Sequence, residues 1–133
     1  STLKGSDAMR VVTLKDIPEN DLGEAVPIKG WTGGEVRRSR QNIIEPGESE
    51  NYNCSVVNFT MGSTTGWHTH DCDQILVVVH GSGMVATETE EKEINVGDVV
   101  HIKAGENHWH GAKADTVMGH ITVTLKGSKA VFA

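Results

Sequence analysis

The chain carries two pairs of histidines whose type and spacing suit metal chemistry. Within each pair, His68 with His70 and His108 with His110, a single residue separates the two. If each segment is a β-strand, both members of a pair point to one face, because side chains alternate across a strand. Neutral imidazoles on one wall can bind a divalent ion at about 2.0–2.2 Å. The pattern therefore predicts a metal site.

A fourth ligand is expected from Gln74, which begins the apolar segment after the first pair. Its side chain shares the inward face of that segment, so its amide oxygen can reach the same ion. Adjacent hairpins of a barrel can bring His108 opposite His68 and His70. We predict that one ion binds His68, His70, His108 and Gln74. Three nitrogens and one oxygen leave positions open for water or substrate, as catalytic sites do.

Short apolar segments separated by turn residues must position these side chains. Strands are predicted over residues 41–44, 52–60, 67–70, 74–80, 83–87, 92–95, 99–102, 108–110 and 118–125. No segment has an apolar repeat of 3.6 residues, and glycine-rich turns come at short intervals. This pattern predicts an all-β protein, a jelly-roll barrel of two antiparallel sheets.

The predicted domain organisation is one barrel preceded by an arm. Residues 1–35 contain Pro18, Pro27 and several glycines, which predict an irregular N-terminal arm. Residues 36–133 form the single barrel domain. We expect residues 1–8 to be a cloning remnant ahead of a natural start at Met9. A homodimer is expected, because jelly rolls leave strand edges that a partner can cover, and Trp31 of the arm is the candidate contact.

Composition excludes several classes of protein. A formal net charge of −6 argues against binding to nucleic acid or to an anionic membrane surface, since both require a basic face. No apolar run reaches the roughly 18 residues that span a bilayer, so a cytoplasmic location is expected. Only Cys54 and Cys72 are present, too few for a disulfide scaffold.

The first histidine pair lies in a string that resembles a motif of the cupin superfamily. The string runs Gly62-x5-His68-x-His70-x3-Gln74-x6-Gly81, with glutamine where the family usually has glutamate. The resemblance covers roughly residues 50–125 and implies a cupin-type double-stranded β-helix, which is a jelly-roll barrel.

The second pair lies in a string that resembles the other cupin motif. It runs Gly97-x5-Lys103-x-Gly105-x2-His108-x3-Ala112, where Lys103 replaces a proline and Ala112 an asparagine. Both replacements concern turn geometry rather than ligands.

Within the superfamily, the chain resembles small bacterial cupins that include manganese-dependent hydroxynitrile lyases. It also resembles cupins associated with carboxymuconolactone decarboxylase-like proteins. The lyase resemblance implies that three histidines and one glutamine bind manganese, with iron, zinc and nickel as alternatives. A small-molecule substrate and a carbon–carbon cleavage are implied with it.

The neutral Gln74 leaves the full 2+ charge on the ion, which favours lyase or hydrolytic chemistry over oxidation. His110 and His120 are the candidate acid–base residues, since a neutral imidazole can accept a proton near pH 7. His80 and His101 lack companions and are expected on the surface. Inward strand positions supply the predicted pocket, which consists of Ser55, Val57, Phe59, Leu76, Val78 and Thr124.

Three functions remain open from the sequence. The first is a metal-dependent enzyme that acts on a small oxygenated substrate, with hydroxynitrile-lyase-like cleavage as its sharpest form. The second is a metal-dependent dioxygenase, which oxygen consumption would distinguish. The third is a module without enzymatic activity, in which the barrel binds a small ligand and the metal is structural.

Overall fold

The computed structural model describes residues 8–133, so residues 1–7 of the expected cloning remnant lie outside it. A 3-10 turn at Leu14–Asp16 precedes the strands. The strands are β1 (Asn20–Glu24), β2 (Val26–Pro27), β3 (Arg37–Asn42), β4 (Tyr52–Phe59), β5 (Ser63–Thr64), β6 (His68–His70), β7 (Gln74–Thr87), β8 (Glu91–Asn95), β9 (Val99–Ile102), β10 (His108–Ala112), β11 (Met118–Leu125) and β12 (Ala130–Phe132). The predicted all-β class is confirmed.

The strands pair antiparallel in a sheet that is nearly closed into a barrel. Its main order is β1-β3-β4-β11-β7-β10-β5-β2, while β8 and β9 both pair with β7, and β6 joins β10 to β12. The first half of β7 pairs with β9 and β11, and its second half with β8 and β10. One strand thus belongs to both walls, which is the jelly-roll arrangement predicted from the sequence.

The sequence predicted two strands where β7 forms one. The predicted strands 74–80 and 83–87 leave a turn at Gly81 and Ser82, whereas the structure continues the strand through them with an irregular register to β11. Gly81 adopts a φ of 68°, which allows the backbone to bend without ending the strand. A Cβ atom at this position would also collide with the carbonyl oxygen of Val117. The glycines therefore permit a bend and a close approach of two strands.

The arm predicted to be irregular contributes two strands to the barrel. β1 pairs with β3 and β2 pairs with β5, so this part of the prediction is wrong. Glycine and proline are compatible with short edge strands, which is where β1 and β2 lie. Trp31 packs against Gly33 and Gly62 of its own chain, where added Cβ atoms would overlap its ring. Its indole N–H donates a 2.8 Å hydrogen bond to the carbonyl of Gly34.

The apolar core lies inside the barrel and contacts the buried histidines, because the Phe59 ring centroid is 6.0 Å from that of His110 and 5.3 Å from that of His120. Nine buried residues form the core cluster: Val57, Phe59, Leu76, Val78, Val85, Ile94, Ile102, Ala112 and Met118. Burial of each large aliphatic or aromatic side chain contributes about 1.5–3 kcal/mol to folding, so this cluster can support the polar interior beside it. Among residues 8–133, no helix is long and apolar enough to cross a membrane.

Candidate metal centre

Three histidines from two paired strands meet inside the barrel. β6 supplies His68 and His70, and β10 supplies His108, whose backbone is in register with His68. The alternation of strand side chains directs all three rings to the interior, as the sequence predicted. One ligand nitrogen from each ring lies within 4.8 Å of the other two. Two nitrogens bound to one ion at about 2.1 Å each are at most about 4.2 Å apart, so the three rings are close to the separation that a shared ion requires.

Backbone carbonyls fix two of these rings with the same local contact. His68 Nδ1 lies 2.9 Å from the carbonyl oxygen of Gly66, and His108 Nδ1 lies 2.8 Å from that of Glu106. A carbonyl only accepts hydrogen bonds, so each Nδ1 must carry the proton. The lone pair is then on Nε2, where an ion can bind it. The protein therefore holds both imidazoles in the tautomer that a metal requires.

Gln74, the first residue of β7, lies beside this group of histidines. Its side chain is 3% exposed, and its Oε1 lies 3.1 Å from His108 Nε2. Two ligand atoms that each lie about 2.1–2.2 Å from one ion, with an angle of about 90° between them at the ion, are about 3 Å apart. The Nε2 of His70 is buried and has no hydrogen-bond partner among the described residues. This unpartnered nitrogen lies beside the ring nitrogens of His68 and His108 and the amide oxygen of Gln74, and such a set of donors suits a divalent ion.

Burial keeps these imidazoles neutral in the protein without metal. It lowers the pKa of His68 from 6.5 to about 4, and the nearby charges of His108, His70 and Arg38 act in the same direction. Burial also lowers the pKa values of His70 and His108. Neutral rings are the form that binds a metal, so near pH 7 no proton has to be displaced from them.

The two predicted acid–base histidines form a buried pair beside this group. His110 is 3% exposed and His120 is fully buried. His120 Nε2 lies 2.8 Å from His110 Nδ1, and His120 Nδ1 lies 3.0 Å from the hydroxyl of Thr122. The Nε2 of His110 is buried with no partner among the residues described. Burial is the main cause of the lowered pKa of both histidines. It lowers the pKa of His110 well below 6.5 and that of His120 to about 4.

A cavity of about 320 Å³ opens onto the site and is lined by His68, His70, Gln74 and His110. Of the predicted pocket residues, Ser55, Val57 and Thr124 line it. Phe59, Leu76 and Val78, which were also predicted, do not line this cavity. They point inward as expected, but they lie deeper in the barrel and pack into the apolar core. Alternation fixes the face of a strand and not the depth along it.

Three cavity residues on β3 and β12 could not be recognised from the sequence pattern. Arg38 and Arg40 of β3 and Phe132 of β12 line the cavity. The Phe132 ring stacks on His68, with centroids 4.8 Å apart and an angle of 20° between the planes. β3 was predicted to begin only at residue 41, because the run Arg37-Arg38-Ser39-Arg40 has no apolar alternation. The one available signal was the two-residue spacing of Arg38 and Arg40.

The remaining histidines and the cysteines lie outside the ligand group. His80 and His101 are exposed, as predicted, and hydrogen-bond to Asn58 and Asp73 at 2.7 Å. Both cysteines are free thiols.

The sequence profile described as "Cupin domain" matches residues 55–128, which is more than half of the chain. The chain belongs to the cupin family. This cupin is 44% identical over 68 residues to an (R)-mandelonitrile lyase of Granulicella tundricola, a match that covers 50% of this chain and 52% of the relative. It is 34% identical over 74 residues to the uncharacterized protein y4oW of Sinorhizobium fredii, covering 55% of this chain and 34% of that protein. The match thus spans about half of the first relative and about a third of the second.

Among solved structures, a cupin-like protein of Thermotoga maritima superposes on this cupin with a TM-score of 0.65. The two are 28% identical, and the match covers 86% of this chain and 89% of the other. The cupin fold predicted from the two motifs is confirmed.

Proposed function

We propose that this cupin is a metal-dependent lyase that cleaves a carbon–carbon bond in a small oxygenated substrate, as a hydroxynitrile lyase does. The similarity to an (R)-mandelonitrile lyase supports this activity. The proposed ligands are His68, His70, His108 and Gln74, with manganese as the first candidate for the ion. A divalent ion in this position supplies Lewis acidity, which lowers the pKa of a hydroxyl group bound to it.

The observation that carries the proposal is the unpartnered Nε2 of His110 in the wall of the cavity. A general base must lie within hydrogen-bond reach of the proton that it takes. The lowered pKa of His110 keeps its ring neutral, so the nitrogen can accept. His110 is therefore the proposed catalytic residue.

His120 is the proposed positioning residue for His110. Its Nε2 lies 2.8 Å from His110 Nδ1 and the hydroxyl of Thr122 lies at its other nitrogen. When His110 Nε2 takes a proton, its Nδ1–H can donate to His120, which spreads the new charge through the pair. Such a partner fixes the orientation of the base and stabilises its charged form.

For a cyanohydrin, the chemistry balances without an oxidant. The hydroxyl proton passes to His110 Nε2, the oxygen electrons form the carbonyl bond, and the bond between the carbinol and nitrile carbons breaks. The bonding pair leaves with cyanide, which takes the proton back from His110 as hydrogen cyanide. The products are an aldehyde and hydrogen cyanide, and the base returns to its neutral state.

The test is the release of benzaldehyde from mandelonitrile by the manganese-loaded protein, followed by absorbance. The expected rate exceeds that of buffer, and His110→Ala lowers it by roughly 10²–10⁴-fold while metal content stays the same. His80→Ala is the matched control, because His80 is exposed and hydrogen-bonds to Asn58 away from the cavity. An active enzyme that is indifferent to His110→Ala would refute the assignment of the base. No cleavage, together with metal-dependent oxygen uptake, would favour a dioxygenase instead.

A further inference from the structure

Two arginines of β3 face the same interior as the histidines. Arg38 and Arg40 are paired in register with Phe59 and Val57 of β4. Directly opposed residues of an antiparallel pair share one face, and Phe59 and Val57 belong to the core. Both arginines therefore point into the barrel, and both line the cavity that holds His68.

Within residues 8–133, neither guanidinium has a salt bridge or a side-chain hydrogen bond. The Nε of Arg38 is buried and orphaned. Arg37, the neighbour on the outer face, binds both Asp21 and Glu35 at 2.5 Å. Buried donors of a charged group are ordinarily paired, since an unpaired one has lost its hydrogen bonds to water without replacement. The buried Nε of Arg38 therefore lacks an acceptor, and the more exposed Arg40 on the same face has no side-chain partner among residues 8–133.

The charges of the cavity do not balance. Glu45 is its one lining carboxylate among the described residues. The Glu45 carboxylate is exposed and lies 3.4 Å from the amide nitrogen of Asn42. The pKa of Arg38 is lowered by burial and then by the charge of Arg40, so the two guanidiniums lie close enough to repel. Gln74 also contributes no negative charge.

We infer that the substrate of this site is a small organic anion that carries a hydroxyl group, and that Arg38 and Arg40 bind its carboxylate. The inference rests on the proposed function in treating this anion as the substrate. Two adjacent guanidiniums offer planar forks of N–H donors, whose geometry matches a carboxylate. An anion supplies the missing acceptor and offsets the repulsion between the arginines. The hydroxyl of the same molecule then lies toward His110, and the cavity of about 320 Å³ limits the substrate to a small one.

The test compares mandelate with its neutral amide, mandelamide, as ligands of the manganese-loaded protein by titration calorimetry. The two probes have nearly the same shape and the same hydroxyl group. We expect mandelate to bind more tightly, and Arg38→Gln or Arg40→Gln to weaken mandelate by about 10- to 100-fold, the loss typical of a hydrogen bond to a charged group. The affinity of the same two variants for mandelamide should differ from that of wild type by less than about threefold. Arg37→Gln is the control, because it makes the same charge change on the outer face.

Equal weakening by all three variants, or none by Arg38→Gln and Arg40→Gln in folded protein, would overturn the inference. Thermal unfolding checks the fold, and the more exposed Arg40 provides a second variant if Arg38→Gln is unstable. The binding measurement is independent of turnover. Arginine-dependent preference for mandelate without lyase activity would support the anion site and remove the proposed reaction. Cleavage of neutral mandelonitrile without that preference would support the reaction and remove the anion site.

Discussion

Acid should destabilise the metal-free protein through His120, which is fully buried. Burial lowers its pKa in the folded state from 6.5 to about 4. In the unfolded chain the ring has an ordinary pKa of about 6.5. Above this pH both states are neutral, and below it the unfolded state binds a proton that the folded state does not. Stability is therefore lost as the pH falls from about 6.5 to about 4, and this loss levels off below that range.

The size of the effect follows from the difference between the two pKa values. A difference of about 2.5 pH units corresponds to about 3 kcal/mol, because each unit contributes about 1.4 kcal/mol. This is a large part of the 5–15 kcal/mol that stabilises a typical domain. The other buried histidines of the site act in the same direction, so His120 accounts for only part of the total acid sensitivity.

Urea unfolding of the metal-free protein measures this contribution when wild type is compared with His120→Gln. The variant has no titrating ring, so the stability of wild type relative to the variant should fall by about 3 kcal/mol between about pH 7 and about pH 4. Val78→Ala is the control, because Val78 lies opposite His120 in the pairing of β7 with β11 and does not titrate. Its difference from wild type should be independent of pH. Parallel curves for wild type and His120→Gln would refute the reasoning.

Three further predictions concern the metal and the assembly. His70→Ala should lose most of the bound metal in elemental analysis, because the remaining groups cannot close the coordination sphere; full metal content would exclude His70 as a ligand. Gln74→Glu should retain metal and shift the pH–rate profile, since it cancels one unit of charge; an unchanged profile would contradict the charge argument. A homodimer should appear in light scattering at micromolar concentration, with the exposed Ile75 and Val99 of adjacent strands as a candidate contact. A monomer would exclude it.

The convergence of the three histidines could be predicted because it depends on local alternation. His68, His70 and His108 each lie on a short strand between turn residues, and the period of two alone fixes the face to which they point. The order of glycines and histidines then allowed the cupin barrel to be predicted. Both inferences need only residues that are close together in the sequence.

The depth of the pocket could not be predicted by the same means. Phe59 shares a face with Ser55 and Val57, but its position along the barrel depends on the pairing of β4 with β11. Arg38 and Arg40 were missed for another reason. Inward polar residues interrupt the apolar pattern by which strands are recognised, so a wall built to bind a charged group resembles a loop. β7 was divided in two because glycine favours both bends and turns.

The central claim is that His68, His70, His108 and Gln74 hold one divalent ion. The most direct test is a crystal structure of the manganese-loaded protein, with the ion located by anomalous scattering. The expected result is one anomalous peak per chain within about 2.0–2.3 Å of three Nε2 atoms and the glutamine oxygen. A fully loaded protein whose peak lies elsewhere, or whose ion lacks two of these four ligands, would contradict the account.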